Sequence, residues 1–184
     1  MLSTGCFGNE VTPFPDGLEP LGENTLPGPG TPADPYPEDY QVEATSGGRF
    51  DTVLGRGYIH APLAEVWTAM RNPAVGADRR TSPDWTSSPL AEEGYDFSYA
   101  IQHIAYDIVT VEWEVTWRHG VVEGTVEAPE LVAIRWQKTN GSTLLRVLEG
   151  SFVLRPVGDG SITELELVYH ASATGGSLDA YSRY

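Results

Sequence analysis

Two side chains that can exchange protons lie four residues apart on a stretch with the alternation of a β-strand. One face of this predicted strand, which runs from Tyr95 to Tyr106, carries Tyr95, Phe97, Tyr99, Ile101 and His103. Tyr99 and His103 could donate hydrogen bonds to a ligand carbonyl, or act as acid and base. The sequence favours the alternative that both are amphipathic core or rim residues with ordinary partners.

The sequence contains none of the common metal-binding or catalytic motifs. The four histidines come from separate predicted strands and turns, and they are His60, His103, His119 and His170. With no His-Glu-x-x-His pattern and no cysteine partner, we expect neither a metal site nor a cofactor, and we expect each histidine to be hydrogen-bonded or exposed. A Gly-x-Ser-x-Gly motif and a phosphate-binding loop are also missing. The sequence favours a binding protein and leaves an enzyme open.

A predicted strand passes directly into a short helix at the start of the main domain. The stretch from Gly57 to Pro73 reads Gly-Tyr-Ile-His-Ala-Pro-Leu-Ala-Glu-Val-Trp-Thr-Ala-Met-Arg-Asn-Pro. Pro62 is tolerated at the first helical position, and apolar residues then recur at helical spacing. Asn72 ends the helix, since the residue before a proline is pushed out of the α region. One face of this helix must pack against an apolar surface.

This opening resembles that of the START-like superfamily, which includes polyketide cyclases, lipid- and steroid-binding domains and the helix-grip proteins. The resemblance covers residues 49–184 and implies a curved antiparallel sheet that grips a long C-terminal helix, with an apolar pocket between them. Only about two helical turns can follow Ser177 in this chain. Because the family has a much longer helix there, we expect the closing helix to be incomplete.

Alternation and turn signals predict seven strands, and with two short helical pieces they indicate an α+β fold of the helix-grip type. The first strand begins at Phe50, and the others run from Tyr95 to Tyr106, Ile108 to Trp117, Val121 to Glu127, Leu131 to Lys138, Leu144 to Leu154 and Ile162 to His170. One face of such a sheet is apolar and must be covered. Arg135 is predicted to lie on the opposite face, towards solvent.

The apolar face supplies the candidate ligand pocket. Its predicted members are Trp67, Phe97, Tyr99, His103, Val111, Trp113, Trp117, Ile134, Trp136, Leu165, Leu167 and Tyr169. Such a pocket would hold a hydrophobic small molecule such as a lipid, sterol or polyketide. Two alternatives remain open. One is a cyclase- or aromatase-like enzyme that uses the same pocket, and the other is a structural or interaction domain whose tryptophans fill it.

The first 48 residues differ in composition from the rest of the 184-residue chain. They hold 8 of the 14 prolines, 8 acidic residues and no lysine or arginine. We therefore expect a disordered acidic tether at 1–48 and one ligand-binding domain at 49–184. The domain carries 18 acidic against 11 basic residues, and this negative charge argues against nucleic acid as a partner.

The only cysteine lies near the N-terminus, in the stretch Leu2-Ser-Thr-Gly-Cys6. This stretch resembles the end of a bacterial lipoprotein signal, although Ser3 stands where an aliphatic residue is usual and no charged or apolar signal region precedes it. If the true start lies further upstream, we expect a lipid on Cys6 that anchors the protein to a membrane of the cell envelope. If Met1 is the true start, we expect a soluble cytoplasmic protein. No apolar run reaches the ~18 residues that a transmembrane helix needs.

Overall fold

The computed structural model describes residues 17–77, 82, 84–106 and 110–173. The elements in chain order are β1 (Tyr40–Thr45), β2 (Asp51–Ile59), α1 (Leu63–Met70), α2 (Pro73–Gly76), β3 (Asp84–Leu90), β4 (Phe97–Tyr106), β5 (Thr110–Gly124), β6 (Pro129–Gly141), β7 (Leu145–Val157) and β8 (Ile162–Ala173). These strands form one antiparallel sheet in the order β1-β2-β8-β7-β6-β5-β4-β3. The predicted α+β class, with a curved sheet and two short helices, is confirmed. The predicted start of a C-terminal helix at Ser177 lies outside the described residues.

The described sheet has eight strands where seven were predicted. Strand β5 is continuous across the predicted break near Gly120, because this glycine receives Leu18 against its backbone and forms no turn. A Cβ atom at Gly120 would lie only 2.2 Å from Leu18 Cδ1. Strands β1 and β3 were missed because they are the edges of the sheet and their side chains are mostly exposed, which removes the apolar alternation.

The two helices follow the sequence prediction closely. Helix α1 buries one apolar face that includes Trp67, and it ends before Asn72 as expected. Pro73 then begins α2, and the side-chain oxygen of Asn72 caps this helix by accepting a hydrogen bond from Ala74 N at 3.0 Å. Neither described helix is long and apolar enough to cross a membrane.

The convex face of the sheet is crossed by residues 17–28, which we call the strap. Its contacts follow the order of the strands. Leu18 lies over Gly120 of β5, and Glu19 O accepts a hydrogen bond from Arg135 Nη1 of β6 at 2.5 Å. Leu21 N donates to Ser151 Oγ of β7 at 2.9 Å, and Asn24 Nδ2 donates to Leu167 O of β8 at 3.2 Å and to Gly55 O of β2 at 2.8 Å. Leu26 is buried at the far end of this path. The strap thus supplies partners to polar groups of the outer face.

Composition predicted a domain that begins at Arg49, but the structure places the strap against the sheet and adds residues 40–45 to it as β1. Composition indicated a segment that could not bury enough apolar surface to become ordered. The strap is instead held by hydrogen bonds to a polar sheet face, and amino-acid composition carries no information about such a partner.

Arg135 does lie on the convex face, but it is only 4% exposed beneath the strap, and burial lowers its pKa. The prediction that it points to solvent is therefore wrong.

Candidate ligand-binding site

A cavity of about 550 Å³ lies between the concave face of the sheet and the two helices. Helix α1 contributes Met70 to its wall, and α2 contributes Val75 and Gly76. The remaining described walls come from strands β2 and β4 to β8, and most of these side chains are aliphatic or aromatic. The sheet therefore forms the floor of the cavity, and both helices contribute to its wall.

Half of the predicted pocket residues line this cavity. They are His103, Trp113, Trp117, Trp136, Leu165 and Tyr169. They come from neighbouring strands, and each occupies the position that period-two alternation assigns to the apolar face. Alternation thus identified the floor of the cavity.

The other six predicted residues lie in or against the core beside the cavity. They are Trp67, Phe97, Tyr99, Val111, Ile134 and Leu167. Trp67 belongs to the buried face of α1, and Ile134 has no exposed surface, so both support the wall from behind. Alternation identifies the face of a sheet, but it does not say where along each strand a helix covers that face.

Eight lining residues were not among the predicted set. They are Ile59, Met70, Val75, Gly76, Val115, Leu145, Leu148 and Phe152. Leu148 and Phe152 of β7 carry the same alternation as the tryptophans of β5, so this signal could have identified them. The helix residues carry no such signal, because their place over the cavity depends on how the helices pack.

Stacked aromatic rings cross the floor from strand to strand. Tyr99 of β4 stacks on Trp117 of β5 with centroids 5.9 Å apart and an interplanar angle of 7°. Trp117 stacks on Trp136 of β6 at 4.8 Å and 17°, and Trp136 contacts Phe152 of β7 at 4.8 Å and Tyr169 of β8 at 6.4 Å. These cross-strand pairs stabilise the sheet, and four of the five rings line the cavity: Trp117, Trp136, Phe152 and Tyr169.

Gly150 of β7 makes room for the central ring of this row. A Cβ atom at Gly150 would lie 2.1 Å from Trp136 Cζ2, which is far inside van der Waals contact. The absence of a side chain lets the indole lie close to the backbone of the neighbouring strand. The position of Trp136, and with it the shape of the floor, therefore depends on this glycine.

The polar groups along the described wall are few. His103 is 3% exposed, and its ring stacks on Trp113 at 5.1 Å with 10° between the planes. The indole N–H groups of Trp113 and Trp117 are buried and have no hydrogen-bond partner among the described residues. No carboxylate belongs to the described lining, and no group of three or more His, Cys, Asp or Glu side chains in the described part of the chain could hold a metal ion. The wall suits an apolar body with one or two hydrogen-bond acceptors.

His119 continues the alternation of Trp117 along β5 and lies behind the cavity floor. It is fully buried, and burial, with the nearby Arg71 guanidinium, lowers its pKa to about 3. Its ring centroid lies 5.5 Å from that of Tyr99, whose pKa is raised by burial. Neither ring nitrogen of His119 has a partner among the described residues. The expectation that each histidine is either hydrogen-bonded or exposed is therefore wrong here.

No protein-family model and no curated protein matches this chain. Solved structures resemble it at the level of the fold. They include the aromatase/cyclase Zhui from a Streptomyces species, at 12% identity and a TM-score of 0.47, covering 72% of this chain and 73% of that chain. A STAR-related lipid transfer protein from Xanthomonas axonopodis is 17% identical with a TM-score of 0.47, covering 72% and 75%. A protein from Thermus thermophilus is 18% identical with a TM-score of 0.46, covering 72% and 81%.

Proposed function

We propose that this protein binds a hydrophobic small molecule in the cavity between the sheet and the helices. The observation that carries the proposal is the cavity of about 550 Å³ with an aromatic floor and aliphatic walls. Its volume lies within the range of small-molecule sites, which are mostly apolar with a few placed polar groups. Transfer of an apolar ligand from water into such a site contributes roughly 25 cal/mol per Å² of buried surface, before the costs of association.

Binding without chemistry fits the wall better than catalysis does. Acid–base catalysis commonly uses a pair of titratable groups, and the described lining offers His103 and Tyr169 but no carboxylate. A cyclase-like enzyme stays the second candidate, because His103 does lie on the wall. Turnover of a polyketide substrate that depends on His103 would favour that candidate over a carrier.

Tryptophan in place of Leu148 should lower the affinity for the apolar probe pyrene by about tenfold or more, since the added rings occupy the cavity that Leu148 lines. The change should cost less than the ~1–3 kcal/mol that overpacking a solid core costs, because empty space can accept the indole. Pyrene fluorescence titration and thermal melts measure the two effects.

The matched control is Leu144→Trp, because Leu144 is 41% exposed. This variant should bind pyrene like the unmodified protein. If the unmodified protein does not bind pyrene and Leu148→Trp is strongly destabilised, the tryptophans fill the interior and the protein is a structural or interaction domain.

We also propose a lipid anchor at Cys6 that attaches the protein to the cell envelope, supported by the lipobox-like stretch that ends at this residue. Cys6 itself lies outside the described residues. The first described residue, Gly17, comes 11 positions after Cys6, so the chain between the two can span at most about 40 Å at ~3.5 Å per residue. Such an anchor would hold the domain near the membrane surface.

With the native upstream sequence present, Cys6→Ser should move the protein from the membrane fraction to the soluble fraction. The expected change is large because a multiply acylated cysteine gives stable attachment, whereas one chain holds only marginally. Cell fractionation and mass spectrometry of the mature N-terminus measure it. Equal partitioning of the two proteins would contradict the anchor.

A further inference from the structure

Three buried polar atoms without partners belong to two neighbouring rings beside the cavity, whose centroids lie 5.5 Å apart. They are the hydroxyl of Tyr99 and both ring nitrogens of His119, none of which has a hydrogen-bond partner among the described residues. Tyr99 is 1% exposed and His119 is fully buried. Folded proteins hydrogen-bond the large majority of such groups. Their concentration in two neighbouring rings marks a place suited to a hydrogen-bonding group that the described chain does not supply.

Gly76 connects this place to the cavity. A Cβ atom at Gly76 would lie 3.2 Å from the Tyr99 hydroxyl oxygen and 3.0 Å from Trp117 Cζ2. Gly76 and Trp117 both line the cavity. The Tyr99 hydroxyl therefore lies next to two residues that line the cavity, with a glycine beside it in place of a side chain, and the His119 ring packs against the Tyr99 ring.

Tyr99 and His119 are both uncharged hydrogen-bonding groups, which suits them to an uncharged oxygen atom of a ligand. A tyrosine hydroxyl can donate and accept, and a neutral imidazole offers one donor and one acceptor. Burial and Arg71 lower the pKa of His119 to about 3, so the ring carries no charge at pH 7 that could neutralise a carboxylate. Burial raises the pKa of Tyr99, so its hydroxyl keeps its proton. Neither side chain would supply a counter-charge to a charged ligand group, and the Arg71 guanidinium, whose charge acts on His119, donates to Thr68 Oγ1 at 3.1 Å in an exposed contact.

We propose that Tyr99 and His119 form a neutral hydrogen-bonding subsite that receives the hydroxyl or carbonyl oxygen of an otherwise apolar ligand. This inference rests on the proposed function, because the apolar body of the ligand would occupy the main cavity. It narrows the ligand class to neutral, mostly apolar molecules with an oxygen at one end. It also assigns a binding role to His119.

Three probes with the same apolar body test the subsite. They are pyrene, 1-hydroxypyrene and 1-pyrenecarboxylate, titrated by fluorescence at pH 7. The unmodified protein should bind 1-hydroxypyrene about tenfold more tightly than pyrene, the effect expected of one or two buried hydrogen bonds. It should bind the carboxylate most weakly.

Tyr99→Phe should remove this preference, because it deletes the hydroxyl oxygen and keeps the ring that stacks on Trp117. His119→Phe should act in the same direction and provides a second variant at the inner ring. The matched control is Tyr106→Phe in the same strand, where the tyrosine is 61% exposed. This control should keep the preference for 1-hydroxypyrene.

The outcomes separate the two proposals. If pyrene binds but 1-hydroxypyrene binds no better, or its advantage survives in both Tyr99→Phe and His119→Phe, the subsite is overturned and the apolar cavity stands. A preference for the carboxylate would overturn the neutral character of the subsite. If none of the three probes binds, the proposed function fails and the subsite fails with it.

Discussion

Alanine at position 150 should lower the free energy of unfolding by about 1–3 kcal/mol, although it adds only one methyl group. The physical reason is the 2.1 Å distance between a Cβ atom at this position and Trp136 Cζ2. The indole would have to leave its stacked position between Trp117 and Phe152, and the cavity floor would change with it. Urea unfolding measures the stability, and near-ultraviolet circular dichroism reports the rearranged tryptophans.

Gly48→Ala is the matched control for this experiment. The nearest atom to a Cβ at Gly48 is Phe50 O at 3.7 Å, an ordinary contact. This variant should unfold like the unmodified protein, and alanine generally removes backbone freedom from the unfolded chain. Gly150→Ala should in addition bind pyrene more weakly, because Trp136 lines the cavity. Equal stability of Gly150→Ala and the unmodified protein would show that Trp136 is not held against this backbone.

As the pH falls, the unmodified protein should lose stability more steeply than a His119→Phe variant does. The pKa of His119 is about 3 in the folded protein, below its ordinary value of 6.5, because of burial and the Arg71 guanidinium at the end of α1. Tyr99 faces the ring from β4 and stays neutral in this range. As the pH falls below about 6.5, the unfolded chain binds a proton that the folded protein does not bind until about pH 3. The free energy of unfolding therefore falls by up to ~1.4 kcal/mol per pH unit across this window.

The measurement is urea unfolding at intervals between about pH 7 and pH 4 for both proteins. The difference in stability between them should grow by a few kcal/mol as the pH falls, in favour of His119→Phe. His60→Phe, at an exposed histidine, controls for the loss of an imidazole as such. If the stabilities of His119→Phe and the unmodified protein change with pH in parallel, the His119 ring is protonated as readily in the folded chain as in the unfolded chain.

The sequence by itself determined the faces of the sheet and the limits of the first helix. Trp113, Trp117 and Trp136 were assigned to the covered face because successive side chains of a strand point to opposite sides, a property of the local backbone. Pro62 and Asn72 marked the ends of α1 because a proline restricts its own backbone and that of its neighbour. These features depend only on residues that are close together in the chain, so they can be predicted from the sequence.

Only the tertiary structure decided which residues of the covered face line the cavity. Tyr99 and Ile134 alternate as regularly as Trp117, but they lie in the core beside the cavity, and the lining residues Val75 and Gly76 come from a separate helix. The same holds for β5, which stays continuous because Leu18 packs on Gly120 from far away in the sequence. Contacts between segments distant in the chain set these features, and no spacing within one segment records them.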